Sequence, residues 1–222
     1  MKGHKVVVTG TSRGIGLALV ERYTRAGAEV FAACREASSA LQATSAHVVE
    51  GVDVASVAGA ALLSEKVGAD SVDVLINNAG VLQNEILGKV SYQSIEYQMG
   101  VNALGPLRIT EALLPNLRRG SKVVMMTSRM GSIADNTSGG RYGYRMSKAA
   151  LNIASVSLAR DLEPSGIAVG IVHPGLVGTE MIRGAGNLTP AQAAALIVER
   201  IEGLTMDNTG TFWHSSGDVL PW

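Results

Sequence analysis

The hydrophobic residues of this chain follow two alternating patterns. Short β-branched runs that end at a glycine or a polar residue are typical of strands buried in a parallel sheet. Longer stretches with apolar residues three and four apart are typical of helices. The first pattern predicts strands over Lys5–Thr9, Glu29–Ala33, His47–Val49, Val72–Ile76, Lys122–Thr127, Ile167–Val172 and Thr211–Trp213.

Helical spacing fills most of the intervals between these strands. It predicts helices over Ile15–Ala26, Ser56–Val67, Ser94–Leu117 (interrupted at Gly100–Pro106), Tyr144–Leu162 and Thr189–Gly203. Alternating strands and helices predict an α/β fold in which helices cover both faces of a parallel sheet. No linker, repeat or low-complexity segment divides the chain, so we expect residues 1–222 to form one domain.

Composition narrows the classes of function. The chain is 46% hydrophobic and 17% charged, which is typical of a globular protein. Nineteen basic residues balance nineteen acidic ones without a basic stripe, so we expect neither a nucleic acid nor a membrane partner. No apolar run is long enough for a signal peptide or a membrane span. The single cysteine, Cys34, fits a reducing compartment, and we expect a cytoplasmic location.

A glycine-rich turn separates the first predicted strand from the first helix. Residues 9–16 read Thr-Gly-Thr-Ser-Arg-Gly-Ile-Gly. Glycines at 10, 14 and 16 allow a ligand to approach the backbone closely, and the amides that open the helix can face a phosphate. The spacing differs from the commoner Gly-x-Gly-x-x-Gly fingerprint. A tight turn without a ligand is the alternative interpretation.

Tyr144 and Lys148 are four residues apart in a predicted helix, so their side chains share one face. An ammonium group beside a phenol favours the phenolate and lowers a pKa that is ordinarily about 10. The pair is therefore suited to exchange a proton with a carbonyl/alcohol couple. Tyr142, the rival tyrosine, is six residues from Lys148 and off that face. Most such pairs only line a solvated helix face, so other stretches must support this one.

Polar residues also stand at the ends of other predicted elements. Asn-Asn-Ala-Gly at 77–80 follows the fourth strand, where it forms either a turn or part of a cofactor site. Asn102 lies in the helix interruption, and Ser128 follows the fifth strand. His173 precedes Pro-Gly after the sixth strand and is expected to be structural. The remaining histidines lack metal-ligand spacing, so we predict no metal site.

These stretches together resemble the short-chain dehydrogenase/reductases of the classical type, from Lys5 to about Trp213. The resemblance rests on the turn at 9–16, residues 77–80, Asn102, Ser128, Tyr144, Lys148 and Pro174-Gly175. Within the family, residues 139–148 and the Leu-Pro-Trp ending are most similar to small carbonyl reductases related to sniffer and the C-factor signalling protein. The resemblance implies a Rossmann-type, doubly wound sheet of about seven strands in the order 3-2-1-4-5-6-7.

The resemblance also implies roles for the matching residues. Tyr144 would be the acid/base, and Lys148 would hold the nicotinamide ribose and lower the pKa of Tyr144. Ser128 would hydrogen-bond the substrate oxygen, and Asn102 would hold a water that links Lys148 to solvent. The implied cofactor contacts are Gly10, Ser12, Arg13, Gly14, Ile15, Gly16, Arg35, Asp53, Val54, Asn78, Ala79, Gly80, Tyr144, Lys148, Pro174, Gly175, Val177 and Thr179. Among them, Asp53 and Val54 would meet the adenine, and Thr179 would bond the carboxamide.

The catalytic serine has two candidates. Ser128 lies sixteen residues before Tyr144, a longer interval than many family members have, whereas Ser132 lies twelve before it. We favour Ser128 because it begins a Ser-x-x-Gly match at a strand end, with the extra residues in the loop 133–140. Ser132 stays the alternative.

The tip of the second strand favours NADP(H) over NAD(H). An acid at this position would bond the ribose 2′-hydroxyl of NAD, but the strand ends in Ala-Cys-Arg. Arg35 offers a guanidinium that suits the 2′-phosphate of NADP, and Arg13 and Ser12 can face the same phosphate. Glu36 is the contrary observation and keeps NAD(H) open.

We therefore expect an oxidoreductase that transfers hydride between nicotinamide and a carbonyl or secondary alcohol. The rival from a different class is a cofactor-binding signalling or regulatory protein, which would not need an acid/base pair. A sugar epimerase of the extended type is disfavoured by residues 77–80 and by the short stretch after Thr179. The sequence does not identify the small-molecule substrate; Met130 and Met181 are candidate pocket residues. The resemblance implies a homodimer or homotetramer through the helices at 104–117 and 144–162.

Overall fold

The computed structural model describes residues 2–222, and its core is one parallel sheet of seven strands. The strands are β1 Lys5–Thr9, β2 Glu29–Ala33, β3 His47–Val49, β4 Val72–Asn77, β5 Leu117–Met126, β6 Ala168–His173 and β7 Phe212–His214. Their order is β3-β2-β1-β4-β5-β6-β7, and every neighbouring pair is parallel. The predicted fold class and strand order are confirmed.

Seven α-helices connect the strands. They are α1 Gly14–Arg25, α2 Ser39–Gln42, α3 Val57–Val67, α4 Tyr92–Met99, α5 Gly105–Ala112, α6 Tyr142–Leu162 and α7 Pro190–Glu202. The short helix α2 has no counterpart in the sequence prediction. No helix among residues 2–222 combines the length and apolar character needed to cross a bilayer.

Apolar side chains fill a layer on each face of the sheet. Because successive residues of a strand point to opposite faces, Val7 and Val8 belong to different layers although both are fully buried. Leu63 of α3 and Leu151 of α6 pack in the layer with Val7. Leu19 of α1 packs in the layer with Val8, where α7 also lies. Burial on both faces explains why the central strands are continuous runs of valine and isoleucine.

The predicted helix over 94–117 is wrong at its carboxyl end. Helix α5 ends at Ala112, and Leu117 already pairs with Val72 as the first residue of β5. Pro115 cannot donate a helical hydrogen bond, which favours a stop here. The Asn116 amide then donates to the carbonyls of Gly68 and Asp70, each at 2.8 Å, and holds the chain beside the sheet. The interruption at 100–104 is a π-helical segment that contains Asn102.

The carboxyl ends of β1 and β4 are joined by side-chain hydrogen bonds. The Thr9 hydroxyl accepts from the backbone amides of Asn78 and Ala79, both at 3.1 Å. The Asn78 amide donates to the carbonyls of Thr9 and Gly10 at 3.0 and 3.1 Å. These bonds fix the glycine-rich turn against the loop that follows β4, so both border one cleft.

Gly10 stands where this joint leaves no room for a side chain. A Cβ atom at Gly10 would lie 2.6 Å from the Ala79 Cα, and the backbone there has a φ of +72°. Gly3 has a similar φ of +84°, but a Cβ atom there would have no neighbour within 4 Å. Substitutions at the two glycines therefore distinguish the free-energy cost of the left-handed conformation from the cost of the close contact with Ala79.

We expect Gly10→Ala to lower the free energy of unfolding by at least about 1 kcal/mol more than Gly3→Ala does. Both variants place alanine at a positive φ, but only the first forces two backbone segments apart. Chemical denaturation of the two variants and the wild type measures the difference. Equal losses would show that the Gly10–Ala79 contact does not require glycine.

Candidate active site

A cleft of about 850 Å³ lies at the carboxyl ends of the strands. It collects predicted cofactor residues from six separate parts of the chain. Of the predicted cofactor residues, those that line it are Gly10, Ser12, Arg13, Gly14, Ile15, Gly16, Arg35, Asp53, Val54, Asn78, Ala79, Gly80, Tyr144, Lys148, Pro174 and Thr179. Of the two predicted pocket residues, Met181 lines the cleft and Met130 does not.

Two predicted cofactor residues do not line the cleft. Val177 is buried in the apolar layer that α1 and α7 share. It points there because the chain after β6 turns back and pairs with Leu188, whose carbonyl accepts from the Gly178 amide at 2.9 Å. Gly175, where a Cβ would face Leu188 and His214, also lies outside the lining of the cleft.

Tyr144 and Lys148 lie together at one end of the cleft, one turn apart on α6 as predicted. Both are buried, and the Lys148 Nζ is 5.8 Å from the centre of the Tyr144 ring. The same Nζ donates to the Met126 carbonyl at 2.9 Å, which ties α6 to the end of β5. The hydrogen bond gives the buried ammonium a partner that water would otherwise supply.

Burial changes the proton affinity of both groups. It raises the pKa of Tyr144, while the Ser128 side chain and the positive charge of Arg141 lower it. Burial also lowers the pKa of Lys148 to about 8. Among residues 2–222, the ammonium bonds the Met126 carbonyl and not the phenol, and the groups that lower the pKa of Tyr144 here are Ser128 and Arg141. The expected lowering of this pKa by Lys148 stays a prediction.

Asn102 holds the loop after β4 against α6. Its Oδ1 accepts from the Val81 amide at 2.8 Å, and its Nδ2 donates to the Val81 carbonyl at 2.8 Å and to the Ser147 hydroxyl at 3.0 Å. A Cβ at Gly80 would lie 3.4 Å from the Asn102 Oδ1 and 3.7 Å from the Lys148 Nζ. The amide and the ammonium therefore flank the same glycine.

The two candidate serines have different partners. The Ser128 Oγ accepts from the Met130 amide at 3.1 Å, which leaves its hydrogen free to be donated. The Ser132 Oγ donates to the Trp222 carbonyl and accepts from the Asp135 amide, both at 3.1 Å. Ser132 thus ties its loop to Trp222, whereas the Ser128 side chain lowers the pKa of Tyr144.

The two arginines at the other end of the cleft also differ. Arg13 forms an ion pair with Glu180 at 3.3 Å. Arg35 is exposed, and its guanidinium has no ion-pair or hydrogen-bond partner within the described chain. The Ser12 hydroxyl donates to the Glu36 carbonyl, and Glu36 lines the cleft as well. Of the two arginines, Arg35 is consequently the one whose guanidinium is available to bind an anion.

Several cleft residues were not identified from the sequence. Met126 and Thr127 directly precede Ser128, so extending the strand-end rule by two residues would have found them. Tyr97 enters the cleft from α4 and carries no motif. The others are Cys34, Ala37, Ser38, Val52, Val81, Val101 and Glu180. Cys34 is buried, and burial raises the pKa of its thiol.

Comparison with protein families gives one match over most of the chain. The short chain dehydrogenase model matches residues 4–187. A 1-hydroxy-2-glutathionyl-2-methyl-3-butene dehydrogenase from Rhodococcus is 40% identical, and the alignment covers 98% of this chain and 99% of the relative. The C-signal protein of Myxococcus xanthus is 46% identical over 68% of this chain and 93% of the relative.

Solved structures give the same result along the whole chain. The NADPH-bound carbonyl reductase from chicken fatty liver superposes with a TM-score of 0.91 at 25% identity and covers 100% of both chains. The carbonyl reductase Sniffer of Drosophila melanogaster superposes with a TM-score of 0.90 at 28% identity, also over 100% of both chains. With the cleft and its tyrosine–lysine pair, these likenesses establish that the chain is an oxidoreductase of the short-chain dehydrogenase/reductase family and that it resembles the sniffer and C-signal members.

Proposed function

We propose that this enzyme uses NADP(H) to interconvert a small-molecule carbonyl and the corresponding secondary alcohol, with Tyr144 as the acid/base. The observation that carries the proposal is the burial of Tyr144 and Lys148 side by side at the end of the cleft. The dehydrogenase and carbonyl reductases among its relatives support this reaction class. We further propose one cytoplasmic domain, residues 1–222.

The cleft residues fit a dinucleotide. Backbone amides at the start of α1 would hold the pyrophosphate, Asp53 and Val54 would flank the adenine, and Thr179 would bond the carboxamide. The unpaired guanidinium of Arg35 would bind the 2′-phosphate. When bound, the nicotinamide would supply or accept the hydride. The NADPH-bound relative supports this choice of cofactor, and NAD(H) stays the alternative because Glu36 borders the same end of the cleft.

Tyr144 would exchange the proton on the substrate oxygen. Burial favours its neutral phenol, the form that donates a proton during carbonyl reduction. Lys148 has a pKa of about 8 and so keeps most of its charge at neutral pH, where it would stabilise the phenolate that remains. Ser128 would donate a hydrogen bond to the substrate oxygen. Asn102 would hold a water that links Lys148 to solvent.

The rival function is signalling or regulation without turnover, which the likeness to the C-signal protein suggests. A binding module gains nothing from burying an ammonium beside a phenol, because desolvation of the charge costs free energy. This cost favours the enzymatic proposal. The exposed apolar residues Leu104, Leu107 and Ile153 on and beside α5 and α6 support a homodimer or homotetramer through these helices.

We expect Tyr144→Phe to lower kcat by about 10²–10⁴-fold, because the variant loses the acid/base group and keeps the ring. Tyr142→Phe is the matched control and should retain wild-type kcat. The measurement is NADPH oxidation with a panel of carbonyl compounds, accompanied by NADPH titration to show intact binding. Wild-type kcat in Tyr144→Phe would refute the assignment.

Ser128→Ala should reduce kcat more than Ser132→Ala does. The first variant removes the free hydroxyl beside Tyr144. The second removes the bond to the Trp222 carbonyl and should mainly lower the Tm. Steady-state kinetics and thermal unfolding of both variants, measured in parallel, decide between the serines. The reverse order of kcat losses would transfer the role to Ser132.

Arg35→Ala should weaken NADPH binding at least about tenfold in Kd, because a charge-assisted hydrogen bond is worth about 1.5–3 kcal/mol. NADH, which lacks the 2′-phosphate, should bind the variant and the wild type alike. Arg25→Ala, on the outer part of α1, controls for the loss of a positive charge. Calorimetric titration of both cofactors makes the test. An unchanged Kd for NADPH, or tighter binding of NADH than NADPH to the wild type, would exclude the proposed selectivity.

A further inference from the structure

Helix α6 begins without a cap of its own. The first amides of any helix lack intrahelical acceptors, and a Ser, Thr, Asp or Asn at the N-cap usually bonds one of them. Here the N-cap is Arg141, whose side chain makes no capping bond and whose backbone is left-handed, with a φ of 51°. The first turn also contains no acidic residue. The helix that bears Tyr144 and Lys148 therefore needs its acceptor from elsewhere.

Glu85, which lies 58 residues before Gly143 in the chain, supplies that acceptor. Its Oε2 accepts from the Gly143 amide at 3.0 Å, and its backbone carbonyl accepts from the Arg141 amide at 3.0 Å. The Glu85 side chain is buried, and no basic side chain of residues 2–222 forms an ion pair with it. A buried carboxylate is costly unless hydrogen bonds compensate it, and a helix N-terminus offers both donors and a favourable dipole.

The other carboxylate oxygen is held by α4. Glu85 Oε1 accepts from the Gln98 Nε2 at 2.6 Å and from the Ser94 hydroxyl at 2.5 Å. The Gln98 amide cannot turn over freely, because its Oε1 accepts from the Gln83 backbone amide at 2.9 Å. A Cβ at position 143 would lie 2.5 Å from the Gln98 Nε2, so glycine is required for this approach. The carboxylate is thus fixed on α4 and presented to α6.

We propose that Glu85 is a positioning residue that sets the first turn of α6 and, through it, the place of the Tyr144 hydroxyl. This inference rests on the proposed function of Tyr144. Gly143 directly precedes Tyr144, so a shift of the capped amide moves the tyrosine relative to Ser128 and Lys148. Misplacement of a reacting group by about 1 Å can reduce a rate about 10²-fold.

The test compares Glu85→Gln with a swap, Glu85→Gln/Gln98→Glu. In the single variant, the new amide group at position 85 faces the Gln98 amide group, and two donors oppose each other. In the swap, the side-chain amide at position 85 can accept from the Gly143 backbone amide through its oxygen. Its nitrogen can donate to the new carboxylate at position 98. That carboxylate still accepts from the Gln83 amide. The swap therefore restores a matched donor and acceptor between the two positions with the same two side-chain types.

We expect Glu85→Gln to lower kcat at least about tenfold while the Kd of NADPH changes less than about twofold. Hydrogen exchange of the amides at 142–145 should accelerate, and the swap should recover both kcat and protection. Asn116→Ala is the control for a general loss of buried hydrogen bonds, because Asn116 bonds two carbonyls near the amino ends of the strands. That variant should lose stability and keep kcat.

Glu85→Gln with a lower Tm but an unchanged kcat would overturn the inference, as would a swap that regains protection without regaining kcat. If Glu85→Gln does not fold, the kcat values of the swap and of Ser94→Ala make the test. We expect Ser94→Ala to lower kcat, and a wild-type kcat in that variant would contradict the inference. Hydrogen exchange needs no turnover. Full activity of Tyr144→Phe would therefore reject the acid/base proposal while the capping by Glu85 is still measured separately.

Discussion

The hydrogen bond from the Lys148 ammonium to the Met126 carbonyl is the contact on which the active-site end of the cleft depends. An ammonium without water is tolerated only where a fixed acceptor replaces the lost hydration. The acceptor is available because β5 ends at Met126 and its last carbonyl is directed at α6. The loop after β5 approaches α6 so closely that a Cβ at Gly131 would lie 2.7 Å from the Lys148 backbone. The loop that carries Ser128 is thereby placed against the helix that carries Tyr144.

The local pattern of apolar and polar residues was sufficient to predict most of the fold, because strands buried on both faces of a sheet must be continuous apolar runs. The sequence predicted β1, β2 and β3 with the bounds that the structure has. It failed where a distant group decides the local conformation. Leu117 joins the sheet because Asn116 is bound by carbonyls of the α3–β4 connection, and nothing near residue 117 indicates this.

The same distinction applies to the site. Most motif residues at strand ends line one cleft because parallel strands end at one edge of the sheet, which is a property of the topology. Partners between distant loops could not be predicted. The pairing of Arg13 with Glu180 and the capping of α6 by Glu85 join segments separated by far more than one structural element. The Arg13 pair is exposed and so contributes only about 0–1 kcal/mol, which leaves Arg13 able to exchange partners.

The electrostatic character of the pair follows from burial acting on both groups. Desolvation favours the neutral phenol of Tyr144 and the neutral amine of Lys148. The Met126 carbonyl opposes this effect at Lys148, and Ser128 and Arg141 oppose it at Tyr144. In the proposed reaction, release of the phenolic proton would form a negative charge beside the ammonium, where both side chains are buried. Attraction between opposite charges is stronger in buried surroundings than in water. Burial would therefore make the ammonium most effective during proton transfer, and this requires the helix to hold the separation of the two side chains constant.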